Sequence, residues 1–276
     1  MALTDQQVQQ FRTQGFTIAP TFFDAREVRA IQAEVARMQR DGLLRNVRTE
    51  GDGKTHSNQK QNFQLCPMYH ESDLFRAQPF ADKVIDAVGR LIGKPFILHL
   101  DQIFLKPGKT GDGTSWHQDN AYFKIRDPLK GTAMWVACHD ATIANGTMRL
   151  IPGVFDQSFP HDRDPNSDHH IRMYPSEQQD RSATVVEIPA GGVAFFCYGT
   201  PHCTGANTTD RERAGAAFHF LHADYADEGL IADDRDYRPY LTGPKASGGM
   251  NEYGVKVAGT WAQEVENAIN GKPVGA

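Results

Sequence analysis

The sequence has few of the features that would set it apart from ordinary globular proteins. Its four cysteines, Cys66, Cys138, Cys197 and Cys203, form no paired motif in 276 residues, so reduced thiols are expected rather than a disulfide framework. No apolar run reaches membrane length and no signal peptide is recognisable, which predicts a cytoplasmic protein. Internal repeats and low-complexity segments are also missing.

A strong excess of charge is missing as well. The net charge is −5, with 39% hydrophobic and 23% charged residues, so neither nucleic acid nor an anionic membrane is an expected partner. A small molecule is the expected ligand. The length is enough to bury a sizeable core, and we predict one domain over residues 1–276. The oligomeric state is left open.

Helical patterns are concentrated in the first third of the chain. Capping residues followed by apolar residues three and four apart predict helices over residues 4–15, 24–38 and 78–92. Gly15 and Gly93 are predicted to end the first and the third of these. One further helix is predicted near the end, over residues 260–269.

Alternation with a period of two takes over after Pro95. It predicts a strand with one shared face, made of Phe96, Leu98, Leu100, Gln102, Phe104 and Lys106. Further strands are predicted over residues 16–19, 132–140, 148–152, 184–188, 193–198 and 214–222. The pattern favours a mainly β fold with flanking helices, a sandwich or jelly roll. Its parts would be a helical region of about 1–95, a β core of about 96–223 and a C-terminal extension, 224–276.

Two long segments lack a regular period. Residues 41–62 carry Arg45, Arg48, Lys54 and Lys60, and they read equally well as a lid or as a solvated surface loop. Their charge favours a polar or anionic substrate. Residues 154–181 contain His161, Asp162, Asp164, Asp168, His169 and His170. A second metal site is conceivable there, but a lid or surface excursion is the favoured interpretation, because the spacing matches no ligand pattern.

The strongest chemical signal is the pair His117 and Asp119, two positions apart. On an extended segment both side chains leave the same face, and His202 downstream would complete a set of two histidines and one carboxylate. That set is typical of non-heme Fe(II) oxygenases. A lone His-x-Asp pair is common, and its simplest explanation is a histidine hydrogen-bonded in a turn.

Arg213 supports the functional interpretation of the pair. It opens an alternating strand whose shared face also carries Gly215, Ala217 and His219, so the guanidinium lies beside residues with almost no side chain. This predicts room for a ligand. A planar guanidinium suits bidentate binding of a carboxylate.

Four segments in this order resemble the phytanoyl-CoA dioxygenase family of Fe(II)/2-oxoglutarate dioxygenases. They are WHQD at 116–119, ANGTMRLIPG at 144–153, PAGGVAFF at 189–196 and HCTGAN at 202–207 followed by Arg213. The resemblance extends from the first helix to about Ala223. It implies a double-stranded β-helix, the cupin-like jelly roll, around the site.

The resemblance also implies a set of roles. His117, Asp119 and His202 would bind iron, and Arg213 would hold the distal carboxylate of 2-oxoglutarate. Further contacts to this co-substrate would come from Gln118, Thr204, Trp135 and Gln102. The implied reaction uses Fe(II), 2-oxoglutarate and O2, releases succinate and CO2, and hydroxylates a small polar metabolite. Related halogenases replace the carboxylate ligand by a small residue, whereas Asp119 is present here.

The substrate itself is the least specified part. Asn120, Tyr122 and His139 are candidate contacts, although His139 reads at least as well as a core histidine bonded to a neighbour. Hydroxylation, desaturation and cyclisation are not distinguished. A cupin-like zinc isomerase or hydrolase is the alternative from another class, although it would have no use for Arg213. A catalytically silent binding protein is a further alternative.

Overall fold

The protein is described by a computed structural model over residues 2–228, 239–248 and 259–271. Two antiparallel sheets face each other, with strand orders β1-β11-β6-β13-β4-β3-β2 and β10-β7-β12-β5, and β8-β9 forms a separate ribbon. The strands are β1 Phe16–Ala19, β2 Arg45–Asn46, β3 Phe63–Leu65, β4 Phe96–Lys106, β5 Thr114–His117, β6 Gly131–Ala137, β7 Met148–Leu150, β8 Asp162–Arg163, β9 Ile171–Arg172, β10 Thr184–Val185, β11 Val193–Cys197, β12 His202–Thr204 and β13 Arg213–His222. This is the predicted jelly roll.

The described ranges contain seven α-helices. They are α1 Asp5–Gln14, α2 Ala25–Arg40, α3 Asp73–Ala77, α4 Asp82–Ile92, α5 Asn120–Phe123, α6 Glu177–Ser182 and α7 Trp261–Ile269. Thr4 and Asp24 cap α1 and α2 through capping boxes, as their sequence patterns predict. None of the helices in the described ranges is long and apolar enough to cross a membrane. Much of the predicted extension 224–276 lies outside the described residues.

The predicted helix over 78–92 is divided in the structure. Residues Gln78–Phe80 form a 3-10 turn that includes Pro79, and Ala81 is extended, so α4 begins only at Asp82. Gly93 ends α4 as expected, with a φ of 89°. The apolar period continued across this break, which is why the sequence predicted a single helix.

The predicted shared face of β4 is wrong at one end, because the strand contains a β-bulge. Leu100 lies opposite His219 while Leu98 lies opposite Phe220, so His99 is an extra residue in β4. Leu98 therefore belongs to the core under the helices, whereas Gln102 faces the space between the sheets. The alternation was correct on each side of the bulge and changed phase across it.

The apolar interior is divided into two main layers. The larger cluster joins α1, α2 and α4 to the outer face of the large sheet, with Phe11, Ile31 and Phe218 fully buried. A smaller cluster lies between the sheets and includes Trp135 and Phe196. One end of the jelly roll holds a cavity between the sheets that is partly open to solvent.

Two segments predicted as long loops pack against each other over that open end. The backbone N–H of Thr49 donates to Asn166 and that of Asp168 to Val47, at 3.1 and 3.2 Å. We call residues 41–62 and 154–181 together the clasp. Two of its basic residues form ion pairs within the protein, Arg45 with Asp168 and Arg48 with Asp112.

Candidate metal centre and co-substrate site

Three proposed metal ligands converge although they are far apart in the sequence. His117 ends β5 and His202 begins β12, and the two residues are direct cross-strand partners in the smaller sheet. Asp119 is the second residue after the end of β5. All three side chains are buried, and one potential ligand atom from each lies within 4.8 Å of the others. The alternating pattern predicted that His117 and Asp119 face one metal ion, and the fold brings the two side chains together.

The distances suit a single ion. The Nε2 atoms of His117 and His202 lie 3.9 and 3.7 Å from Oδ1 of Asp119, and the two imidazole rings are 4.1 Å apart between centroids. Two imidazoles and one carboxylate on one side leave the other side open. Across residues 2–228, 239–248 and 259–271 this is the single group with such geometry. The conceivable second site at 154–181 is not formed there.

Backbone hydrogen bonds orient both histidines. Nδ1–H of His117 donates to the carbonyl of Ser115 at 2.8 Å, and Nδ1–H of His202 donates to that of Thr200 at 3.0 Å. Each Nε2 is therefore left with its lone pair for a metal. Burial lowers the pKa of His117 to about 3 and also lowers that of His202, so both rings are neutral ligands at physiological pH.

His219 on β13 holds the carboxylate ligand from behind. Its Nε2–H donates to Oδ2 of Asp119 at 3.2 Å, which leaves Oδ1 toward the two histidines. Burial opposes ionisation of Asp119, but the imidazoles of His202 and His219 outweigh it and hold its pKa below the usual range. The sequence had placed His219 on the face of Arg213 without assigning it a role.

Two cations are buried side by side across the cavity from these ligands. Arg213 of β13 lies opposite Lys106 of β4, and each residue is 1% exposed. Nζ of Lys106 donates to Oγ1 of Thr204 and to the carbonyl of Gly205, both at 2.6 Å. Arg213 donates from Nη2 to the carbonyl of Gly146. Lys106 is a site residue that the sequence argument missed.

The charge of this pair is not neutralised within the described part of the chain. Neither cation forms a salt bridge there, and Nε of Arg213 has no hydrogen-bond partner. Burial lowers the pKa of Arg213 to about 10 and that of Lys106 well below its ordinary value. Two buried cations without a carboxylate are costly, so the arrangement suits an anionic ligand.

Trp135 of β6 forms the wall next to Arg213. The guanidinium lies 5.6 Å from the indole centroid, at a distance typical of a cation–π contact. A Cβ added to Gly215 would come within 2.5 Å of Nε1 of Trp135. The sequence predicted room for a ligand next to Gly215 and Ala217. The indole of Trp135 fills the space at Gly215, whereas Ala217 borders the cavity.

The cavity between the ligands and the cations has about 560 Å³ of empty volume, part of it open to solvent. Three of the four predicted co-substrate contacts border it, namely Gln102, Trp135 and Thr204. Its further lining consists of Phe104, Thr114, Met148, His170, Phe196, Cys203 and Ala217. His170 is the one lining residue from the 154–181 segment.

Gln118 does not border this cavity, so its expected co-substrate role is not supported. Its Nε2 donates to the carbonyls of Gly199 and Gln157 at 2.6 and 2.8 Å, and its Oε1 accepts from Phe159. Adjacent side chains on an extended segment point in opposite directions. His117 and Asp119 face the proposed metal position, whereas Gln118 points away from it and holds the backbone of residues 157–159 and Gly199.

Two of the three candidate substrate residues also lie elsewhere. Asn120 caps its own turn through two 3.0 Å hydrogen bonds with the backbone of Ile125. His139 accepts from the backbone N–H of Ala214, because β6 ends at Ala137 and the alternation stops. Tyr122 is the exception: its ring packs edge-on against His117 at 6.4 Å between centroids.

A jelly roll with two histidines and a carboxylate facing a buried cation pair defines a class of protein, the non-heme iron dioxygenases that use 2-oxoglutarate. Comparison with known sequences agrees. The chain belongs to the phytanoyl-CoA dioxygenase (PhyH) family, whose profile matches residues 11–215. The protein is thus an Fe(II)- and 2-oxoglutarate-dependent dioxygenase, with O2 as the third reactant.

The chain is similar to several named proteins. Ectoine dioxygenase of Stutzerimonas stutzeri is 25% identical, and the match covers 79% of this chain and 77% of that one. Phytanoyl-CoA dioxygenase 1 of Oryza sativa subsp. japonica is 27% identical, with 55% of this chain and 65% of that one covered.

Solved structures show the same fold. The epimerase SnoN from nogalamycin biosynthesis, in complex with Fe3+, alpha-ketoglutarate and nogalamycin RO, has a TM-score of 0.67 at 20% identity, covering 86% of this chain and 85% of that one. EctD from S. alaskensis with 2-oxoglutarate and 5-hydroxyectoine has a TM-score of 0.64 at 18% identity, covering 81% and 77%.

Proposed function

We propose that this dioxygenase hydroxylates a small polar metabolite, converting one 2-oxoglutarate and one O2 to succinate and CO2 in each turnover. One observation carries the proposal. The buried ligand set His117, Asp119 and His202 faces the unneutralised cations Lys106 and Arg213 across one cavity. The ectoine dioxygenases among the relatives support a small metabolite as substrate.

The residues of the chain have separate tasks. His117 and His202 offer neutral Nε2 lone pairs and Asp119 offers Oδ1, so together they hold Fe(II) on one side. Lys106 and Arg213 bind the distal carboxylate of 2-oxoglutarate. The bound iron and co-substrate supply the oxidising chemistry that replaces a substrate C–H by C–OH.

The remaining lining residues orient the co-substrate and exclude water. Trp135 covers one side of the Arg213 guanidinium, and Thr204 is held by Lys106 next to the same end of the cavity. Phe196 packs against the ring of His202 at 4.5 Å between centroids. Packing of this kind around the ligands keeps their geometry fixed and limits side reactions with water.

The zinc isomerase or hydrolase alternative uses the same three ligands. It gives no reason for two buried cations without an acidic partner in the described ranges, and their burial is costly. Such an enzyme would also need no 2-oxoglutarate. The two functions therefore differ in the co-substrate requirement.

The test is succinate formation from 2-oxoglutarate with Fe(II) and O2, measured with a panel of small metabolites that begins with ectoine. We expect Fe(II)-dependent succinate release that rises with the true substrate and is lost in His117→Ala. His56→Ala, in an exposed part of the clasp, is the control and should retain activity. Absence of turnover with every compound, combined with zinc-dependent activity, would contradict the proposal.

A further inference from the structure

A second, smaller cavity lies beside the proposed iron site, beneath the clasp. It shares two wall residues, Thr114 and His170, with the larger cavity. Arg48 and Asn62 border it from the other side. The two cavities therefore adjoin at Thr114 and His170.

Three buried polar atoms at this small cavity have no hydrogen-bond partner among the described residues. They are Nε of Arg48, Oδ1 of Asn62 and Nε2 of His170. Asn62 is 3% exposed and His170 is 8% exposed. Buried polar atoms are almost always paired, so three unpaired ones around one space indicate that a further group is bound there.

The hydrogen-bonding pattern defines the chemistry of that group. Arg48 has its charge neutralised, since Nη2 pairs with Oδ2 of Asp112 at 2.7 Å and Nη1 donates to the carbonyl of Asn166. It offers one remaining N–H from Nε, and Asn62 offers one acceptor. A group that both accepts and donates, and carries no charge, satisfies them: a hydroxyl or a carboxamide.

The position of His170 connects this subsite to the reaction centre. Its ring lies 5.7 Å from that of Phe104 and 5.9 Å from that of His117, between centroids. The aromatic pair of His170 and Phe104 gives an apolar surface for the body of a ligand. Backbone and Ser167 contacts fix His170, with its N–H donating to Oγ of Ser167 at 3.3 Å.

We propose that the small cavity is a substrate subsite, in which Arg48, Asn62 and His170 bind an uncharged hydroxyl or carboxamide of the primary substrate. The inference rests on the proposed function, since the group bound here belongs to the molecule that is hydroxylated. It assigns that molecule one uncharged hydroxyl or carboxamide group on the side facing the small cavity. The other occupant that could satisfy these atoms is a single buried water.

The test uses protein loaded with Zn(II), as an inert ion, and saturating 2-oxoglutarate. The probes are cyclohexanecarboxamide, cyclohexanecarboxylate and cyclohexylmethylammonium, which share a ring and differ in charge. Binding is measured by saturation-transfer NMR. We expect the carboxamide to bind most tightly, and Asn62→Leu and His170→Phe each to weaken it about tenfold, the effect of one lost hydrogen bond.

Controls separate the possible failures. His56→Phe is the matched control, because this histidine lies in the same clasp, is half-exposed and borders neither cavity. It should bind the carboxamide like the wild type. Binding of 2-oxoglutarate, recorded in the same samples, verifies that each variant is folded. If Asn62→Leu or His170→Phe no longer binds 2-oxoglutarate, the remaining variant still tests the subsite.

Three outcomes overturn the inference. The first is a preference for the carboxylate or the ammonium probe, and the second is no binding of any probe while 2-oxoglutarate binds. The third is carboxamide binding that neither variant weakens, which would mean a buried water only. Failure of 2-oxoglutarate itself to bind the wild type would instead contradict the proposed function.

Discussion

Replacement of His219 by leucine isolates the support behind the carboxylate ligand. Oδ2 of Asp119 accepts a 3.2 Å hydrogen bond from His219 in a buried setting, and this bond fixes which oxygen faces the two histidines. A hydrogen bond to a charged group contributes about 1.5 to 3 kcal/mol. If the metal-bound geometry depends on it, His219→Leu should reduce metal affinity by about 10- to 100-fold.

The assay is competition for Fe(II) or Mn(II) against a chelator of known affinity. His219→Gln, which retains a donor, should recover part of the loss, and His222→Leu, at the end of the same strand, should bind metal normally. Wild-type affinity in His219→Leu would refute the reasoning. An equal loss in the glutamine variant would also refute it, since packing rather than hydrogen bonding would then be responsible.

Three further predictions follow from the same geometry. Arg213→Leu should raise the dissociation constant of 2-oxoglutarate about 100-fold in calorimetry and leave metal binding intact, because about 3 kcal/mol is typical for a buried charged pair; unchanged affinity would remove Arg213 from the co-substrate site. Gly215→Ala should lower the free energy of unfolding in urea by about 1 to 3 kcal/mol, because the new Cβ meets Trp135. Gly205→Ala is the control, since the described atom nearest to its new Cβ is 3.4 Å away. Equal effects of the two substitutions would contradict the prediction. The pKa of His117 is about 3 in the folded protein, below the unfolded value of 6.5, so the unfolded chain binds more protons and the metal-free protein should lose about 1.4 kcal/mol per pH unit from this residue as the pH falls from 6.5 toward 3; a His117→Gln variant with an unchanged pH slope of unfolding would argue against it.

The sequence predicted the ligand set because each part of it has a local signature. Alternation predicted that His117 and Asp119 share a face, and the structure brings both side chains together. The strand that begins at Arg213 is regular in the structure. The capped helices α1 and α2 were predictable for the same reason, since capping boxes act within one turn. The family resemblance then connected segments that periodicity alone could not join.

Other parts depended on information that is not local. Lys106 became a site residue only because cross-strand register places it opposite Arg213. The bulge at His99 reversed the facing of Leu98, and no residue in the strand signals it. Alternation along the predicted strand placed His139 on the same face as Trp135. In the structure β6 ends at Ala137, two residues before His139. Register, bulges and strand ends are set by tertiary packing, which a single sequence does not display.

The clasp was the least predictable element. Its residues have no period, and its order comes from pairing between two segments more than 100 positions apart, as in the hydrogen bond from Arg48 to Asn166. That pairing carries His170 to the cavity. A histidine in a polar insertion gave no sign in the sequence that it would be buried beside a proposed metal ligand.

The most direct test of the central claim is a titration of 2-oxoglutarate into the protein with and without Mn(II), followed by calorimetry. The claim is that the three-residue ligand set and the Lys106–Arg213 pair hold the two ends of one co-substrate molecule. We predict binding of one molecule per chain in the metal-loaded protein, and affinity at least tenfold lower without metal. Equal affinity in both states, or no binding at all, would contradict the account.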